Sequence, residues 1–132
     1  MTQEDKDLLL KDLCARLPYE VKIQVNDKIE TVEGINILDN IVEFGTYMAC
    51  DIDEVKPYLF PMSSMTEEQK KELSNEMCYL THSQIEGRNP NGLIESTAYE
   101  IDFYNKHHID YRGLIEKGLA NDATGLGIYE DR

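Results

Sequence analysis

The residues best suited to chemistry form a short cluster near the carboxyl end, at His107, His108 and Asp110. An imidazole beside a carboxylate can act as a general base, and imidazoles also bind metals. Neighbouring residues on a helix point about 100° apart, however, and zinc sites usually take histidines three to five residues apart. We therefore expect these residues to serve charge complementarity and packing at a helix end, with metal or proton chemistry as the alternative.

A pair of carboxylates, Asp51 and Asp53, lies in the acidic run Asp-Ile-Asp-Glu. On a strand, both side chains would face the same side, where they could share a hard cation such as Mg²⁺ or Ca²⁺. A calcium loop would need more oxygen ligands and a central glycine, which this run lacks. A solvated strand end is the favoured interpretation.

The clearest predicted loop spans residues 84–92 and contains Arg88 between turn signals Asn-Pro and Asn-Gly. Arg88 could meet an anion, but a mobile connector is the favoured interpretation. The chain has no Gly-x-Ser-x-Gly elbow, and Gly-Leu-Gly at residues 125–127 lacks the strand and helix that surround a phosphate-binding loop. The sequence therefore predicts no catalytic set and no cofactor.

Charge limits the partners of this 132-residue chain, which has 26 acidic and 13 basic residues and a formal charge of −13. Nucleic-acid backbones and anionic membranes would repel it, so we expect neither as a direct partner. The chain has no long apolar run, and its acidic start does not resemble a signal peptide. Cys14, Cys50 and Cys78 are widely spaced, as expected for reduced, mostly buried thiols in a cytoplasmic protein.

The elements that must position these residues begin with a helix over residues 2–17. Thr2 and Asp5 have capping-box spacing, and the apolar residues repeat every three or four positions. Residues 21–50 then alternate between apolar and polar and are interrupted by turns, which predicts three to five short antiparallel strands, with a bulge or bend at Gly34. This part, over about residues 5–60, resembles the small Sm-like barrels; the resemblance implies RNA binding, but the basic surface that such binding requires is missing.

The join between the strand-rich and helical halves lies at residues 55–73. Pro57 and Pro61 are expected to stop any strand or helix there, and Thr66 with Gln69 forms the capping box of a helix reaching about residue 81. A third helix is predicted to start near residues 96–97, capped by Thr97. A fourth, over residues 111–120, would be capped by Asp110 and followed by an extended tail.

These elements predict one α+β domain over residues 1–132. It comprises an amino-terminal helix, a small antiparallel sheet or partly closed barrel, and two to three carboxy-terminal helices packed on it. Residues 1–62 form the strand-rich half, residues 63–120 the helical half and residues 121–132 the tail. Tyr111 and Arg112, the remaining candidate binding residues, are expected to fix the last helix against Tyr58 and Phe60.

Two stretches, KPYLFPMSSMTEEQKKEL at residues 56–73 and YNKHHIDYRGLIEKGLA at residues 104–120, carry a family resemblance. They resemble segments of uncharacterised small acidic proteins of bacteriophages, prophages and mobile elements of anaerobic gut bacteria. The departures are Phe60 in place of a basic residue, Gln69 in place of Glu, and Ile109 in place of Phe. The resemblance implies an accessory role in the bacterial cytoplasm but no particular activity.

Three classes of function remain open on the sequence alone. The favoured one is a non-enzymatic accessory protein that binds another protein, of which a sharper form is an acidic inhibitor mimicking nucleic acid. The second is a metal-dependent or histidine-based enzyme that would use the residues named above. The third is a structural or virion-associated component, which would self-associate through an exposed apolar patch. The sequence leaves the partner's identity and the oligomeric state open.

Overall fold

The computed structural model describes residues 1–129 and confirms the α+β class. Its three α-helices within those residues are α1 (Gln3–Arg16), α2 (Glu67–Ile85) and α3 (Gly92–Lys106). Five strands precede α2: β1 (Lys22–Val25), β2 (Lys28–Asn36), β3 (Ile41–Phe44), β4 (Met48–Asp51) and β5 (Val55–Pro61). Two very short strands follow α3: β6 (Ile109–Asp110) and β7 (Asn121–Asp122).

Both predicted capping boxes are present. The Thr2 hydroxyl accepts the Asp5 N–H at 3.1 Å, and the Asp5 carboxylate accepts the Thr2 N–H at 3.4 Å. At α2, the Thr66 hydroxyl accepts the Gln69 N–H at 3.1 Å, and the Gln69 side chain accepts the Thr66 N–H at 3.0 Å. These bonds satisfy amides that have no partner within the helix, which is why both helices begin where the sequence indicates.

The strands form one open sheet in the order β4-β3-β2-β1-β5-β6, with β7 also paired to β5. The pairs formed among β1 to β5 are all antiparallel, whereas β6 and β7 run parallel to β5. The predicted bend at Gly34 is a register shift opposite β3, where an added Cβ would come within 2.6 Å of the Glu43 carboxylate. The antiparallel meander is confirmed, and it stays open rather than closing into a barrel.

The main core lies between α1 and the sheet. The apolar stripe of α1 contributes Leu9, Leu10 and Leu13, all buried. Val21, which precedes β1, and inward-facing residues of the strands pack against them: Ile23, Val25, Val32, Val42, Phe44, Val55 and Leu59. A second cluster joins α2 to α3 and β6 through Leu73, Phe103, Tyr104 and Ile109.

The expectation that Pro57 stops any strand was wrong, whereas β5 does end at Pro61. Pro57 lies inside β5, opposite Ile23 of β1. Strand β5 pairs with β1 over residues 55–57 and with β7 and β6 over residues 58–61. The strand tolerates the prolines because each removes one donor, while Leu59 and Phe60 keep their backbone bonds to Ala123 and His108.

Three local predictions in the carboxy-terminal half were also wrong. Helix α3 starts at Gly92, so Thr97 lies inside it and donates its hydroxyl to the Leu93 carbonyl instead of capping it. Residues 111–120 form successive turns, because Gly113 and Gly118 adopt left-handed backbone angles (φ 74° and 75°) that a helix excludes. The predicted tail is packed at two points, Ala123 and Tyr129, with residues 124–127 exposed between them; residues 130–132 of that tail lie outside the described residues.

Among residues 1–129, none of the helices combines the length and the apolar composition that a membrane span requires.

Candidate functional site

The structure separates the two histidines of the predicted cluster. His107 ends α3 and packs its ring on Phe103, with centroids 4.4 Å apart. His108 adopts a left-handed backbone angle (φ 59°) and stacks on Tyr129, with centroids 3.8 Å apart and planes 15° from parallel. The two imidazoles therefore contact different aromatic rings, and the structure does not bring them together around one reacting atom.

Asp110 has a structural task. Its carboxylate oxygens accept the N–H groups of Leu114 and Ile115, both at 2.9 Å. The predicted capping role is thus present, but the capped segment is a run of turns. Each oxygen of the Asp110 carboxylate therefore accepts a backbone amide of these turns, which gives the side chain a capping role.

The carboxylates of Asp51 and Asp53 also have separate partners. Asp51 accepts the Asp53 N–H at 3.0 Å and so caps the short 3₁₀ helix Ile52–Glu54. Asp53 forms an ion pair with Lys6 of α1, at 3.4 Å. Within residues 1–129, no three His, Cys, Asp or Glu side chains are grouped so that they could hold a metal ion.

Arg88 lies in the connection between α2 and α3, as predicted. Its guanidinium pairs with Glu86 at 2.9 Å, and both side chains are more than half exposed. Its backbone N–H donates to the Ser83 carbonyl, which helps close the turn at the end of α2. A cation already paired beside a carboxylate in solvent contributes little to binding an anion.

Tyr111 and Arg112 were expected to fix a last helix against Tyr58 and Phe60, but residues 111–120 form turns and not a helix. Tyr111 packs on Tyr104 of α3, with centroids 5.6 Å apart, and donates its hydroxyl to the Asn105 side chain at 2.9 Å. The guanidinium of Arg112 lies 5.0 Å from the Tyr111 ring centre. These contacts fasten the turns after β6 to the end of α3.

A buried ion pair that the sequence interpretation missed holds these parts together. Asp12 and Arg16 of α1 have fully buried side chains, joined at 2.8 Å, and Arg112 approaches the same carboxylate at 3.3 Å. Arg16 also donates to the backbone carbonyls of Tyr104 and Ile109, at 3.4 and 2.7 Å. The signal was available: two opposite charges four residues apart lie among the leucines of an apolar helix stripe.

The two stretches that carry the family resemblance meet in the structure. Phe60 of β5 lies opposite Ile109 of β6, and its N–H donates to the His108 carbonyl at 2.8 Å. Asp110 and Arg112 of the second stretch supply the cap and the contact with Asp12 described above. Parts of both stretches therefore share one structural task, the attachment of the carboxy-terminal residues to the sheet and to α1.

The cysteines differ in exposure. Cys14 and Cys50 are half-buried, and burial raises the pKa of each thiol. Cys78 is exposed on α2, unlike the mostly buried set that was expected.

The strongest candidate for a functional surface is an exposed apolar stripe on α3, defined by Leu93, Ile94, Thr97, Ala98 and Ile101. Leu93 is 51% exposed, Ile94 73% and Ile101 37%. The stripe borders a shallow groove of about 650 Å³ that also contacts Asp102. Since α3 already buries its opposite side through Phe103 and Tyr104, this second apolar face is not needed to hold the helix in place.

Two exposed carboxylates of α3, Glu95 and Asp102, lie beside the stripe in sequence, and Asp102 also lines its groove. Elsewhere on the helix pair, burial is the main cause of the raised pKa of Tyr99, and the charges of Glu72 and Glu76 add to it. The α2–α3 pair thus combines an apolar strip with an acidic border, an arrangement typical of a protein-binding surface.

Comparison with known proteins identifies no relative: no family model, curated protein or solved structure matches this chain.

Proposed function

We propose that this chain is a non-enzymatic accessory protein, encoded by a bacteriophage or mobile element, that acts in the bacterial cytoplasm by binding another protein. The exposed apolar stripe on α3 carries the proposal. Three large aliphatic side chains lie together on one helix face, with Thr97 and Ala98 between them, where a soluble chain normally places polar groups.

Charge favours a partner with a basic surface over a second copy of this chain. Glu95 and Asp102 border the stripe, and the chain carries a formal charge of −13. Two copies docked through the stripe would bring these carboxylates together, and like charges at an interface are unfavourable. A partner that presents apolar side chains flanked by Lys or Arg would satisfy both features of the surface.

The test begins with capture of partners from host-cell lysate at low and at high salt, followed by binding measurements on the purified pair. We expect Ile94→Asp/Ile101→Asp to weaken binding at least tenfold, because it places charge where apolar contact is required. The matched control is Leu38→Asp/Tyr47→Asp, which alters two exposed apolar residues of the sheet turns. It should leave affinity unchanged.

Two outcomes would contradict the proposal. Binding that is unaffected by the α3 variant and lost at high salt would instead support the acidic, nucleic-acid-mimicking inhibitor. Concentration-dependent self-association that the α3 variant abolishes would support the structural or virion-associated alternative.

A further inference from the structure

A cavity of about 460 Å³ lies on the side of the molecule where α1 ends. Its walls come from the turn after α1, from the start of β1, from the end of α3 and from the last described residues. The side chains that matter to its chemistry are Glu20, Lys22, Lys106, His108 and Tyr129. The volume is within the range of small-molecule sites.

Two lysines and one carboxylate line the cavity, in a chain where acidic residues predominate. Lys22 and Lys106 both line it, and neither has a carboxylate within ion-pair distance among residues 1–129, although Glu20 lines the same cavity. The Lys22 ammonium donates to the Thr31 hydroxyl at 3.0 Å, which holds the side chain along the sheet. Acidic residues outnumber basic ones two to one in this chain, so two lysines without carboxylate partners at one cavity are a marked departure from its average.

The walls are fixed in position. Tyr129 is buried, accepts the Lys22 N–H at 2.8 Å and donates its hydroxyl to the Tyr58 carbonyl at 2.8 Å. His108 stacks on its ring. Glu20 and His108 also adopt left-handed backbone angles, φ 57° and 59°, which cost energy for residues with side chains and often occur at binding sites.

We propose that this cavity binds a small organic phosphate. The two lysine ammonium groups would hold the phosphate dianion, for which lysine is a common point-charge ligand. The apolar wall beside Tyr129 would contact the organic part of the ligand, and Glu20 at the exposed rim could accept a hydroxyl. A dianion fits better than a single carboxylate because two lysines line the same cavity.

The experiment is an NMR titration of the full-length, ¹⁵N-labelled chain with three probes: adenosine monophosphate, adenosine and inorganic phosphate. We expect saturable shifts of the Lys22, Lys106 and His108 amides with adenosine monophosphate, weaker shifts with inorganic phosphate, and none with adenosine. Saturable shifts with adenosine would overturn the proposal. So would the lack of saturable shifts with both adenosine monophosphate and inorganic phosphate.

Variants separate a built site from general charge. Lys22→Gln/Lys106→Gln should weaken binding at least tenfold, whereas Lys22→Arg/Lys106→Arg should retain most of it. The matched control is Lys11→Gln/Lys28→Gln, which makes the same change in net charge at two exposed lysines that do not line the cavity. If the control pair weakens binding as much as the cavity pair, the phosphate is held by nonspecific charge and the proposal fails. The NMR spectrum also shows whether each variant is folded. If the glutamine pair does not fold, binding by Lys22→Arg/Lys106→Arg, compared with the control pair, decides the result.

Discussion

Arg16 and Asp12 form an ion pair in which both side chains are completely buried, with Nε and Oδ2 2.8 Å apart. The same guanidinium reaches the Ile109 carbonyl at 2.7 Å, so one side chain of the first helix holds the start of the carboxy-terminal segment. A buried charge is costly unless its hydrogen bonds are satisfied, and here the two side chains satisfy each other.

We expect Arg16→Met to lower the free energy of unfolding by about 3–5 kcal/mol, because it leaves Asp12 buried with only the more distant Arg112 as a cation. Urea denaturation measures the change. The control is Lys6→Met, which removes the partly exposed pair with Asp53 and should cost about 1 kcal/mol or less. Equal costs for the two variants would show that the buried pair is not a main support of the fold.

The double variant Asp12→Leu/Arg16→Met should cost less than the sum of the two single changes. Removing both partners eliminates the unpaired charge that each single change leaves behind. A double-mutant cycle by urea denaturation gives the coupling energy, and strict additivity would contradict the expectation.

Gly92→Ala should destabilise the α2–α3 pair by about 1–3 kcal/mol. An added Cβ would overlap the backbone carbonyl oxygen of Leu80 and approach the Gln84 Cβ at 3.0 Å. Alanine gains about 1 kcal/mol in helix propensity, but a clash with backbone cannot be relieved by a rotamer change. Urea denaturation and hydrogen exchange of α3 check this; Thr97→Ala, at an exposed position of the same helix, is the control. A neutral or stabilising effect of Gly92→Ala would show that the helices can separate without cost.

Tyr129→Phe should lower stability by about 1–3 kcal/mol, because the Lys22 N–H and the Tyr58 carbonyl each lose a buried partner. Thermal denaturation, together with faster hydrogen exchange of the Lys22 amide, measures the effect. Tyr47→Phe is the control, since Tyr47 is fully exposed and the change should stay within about 0.5 kcal/mol. An unchanged Lys22 exchange rate in Tyr129→Phe would contradict the expected anchoring.

Tyr104 should ionise at a higher pH than an exposed tyrosine. Burial, followed by the hydrogen bond to Glu100 and its charge, raises the pKa of Tyr104 to about 12. Because the folded state holds this proton more tightly than the unfolded state, the stability from Tyr104 is complete below pH 10 and is lost as pH rises toward 12. The chain has no Trp, so absorbance at a tyrosinate wavelength follows the titration directly. Removal of a high-pH component in Tyr104→Phe is expected; an unchanged titration curve would contradict it.

The local beginnings of the helices were predictable because they depend on neighbouring residues. The boxes at Thr2–Asp5 and Thr66–Gln69 are made by groups three residues apart, and the apolar repeat of α1 identifies its buried face. The same holds for the bulge at Gly34. None of these features needs information from a distant part of the chain.

The attachment of the last third was not predictable in this way. Strands β6 and β7 have two residues each, too few for any periodic pattern, and they exist because residues 58–61 of β5, about 50 and 60 residues earlier in the chain, pair with them. The α3 stripe was overlooked for the related reason that an apolar residue shows its exposure only once the helix is placed. The separation of His107 from His108 likewise depends on the rings that they contact, Phe103 and Tyr129, and the second of these lies about 20 residues further along the chain.

The sequence by itself determined the α+β class, the first helix, the antiparallel meander and the helix caps, because these follow from hydrogen bonds and periodicities over a few residues. Only the tertiary structure decided that β5 runs through Pro57, that residues 111–120 form turns, and that Lys22 and Lys106 share a cavity. Those outcomes depend on pairing and packing between segments far apart in the chain, where long-range contacts override local propensity.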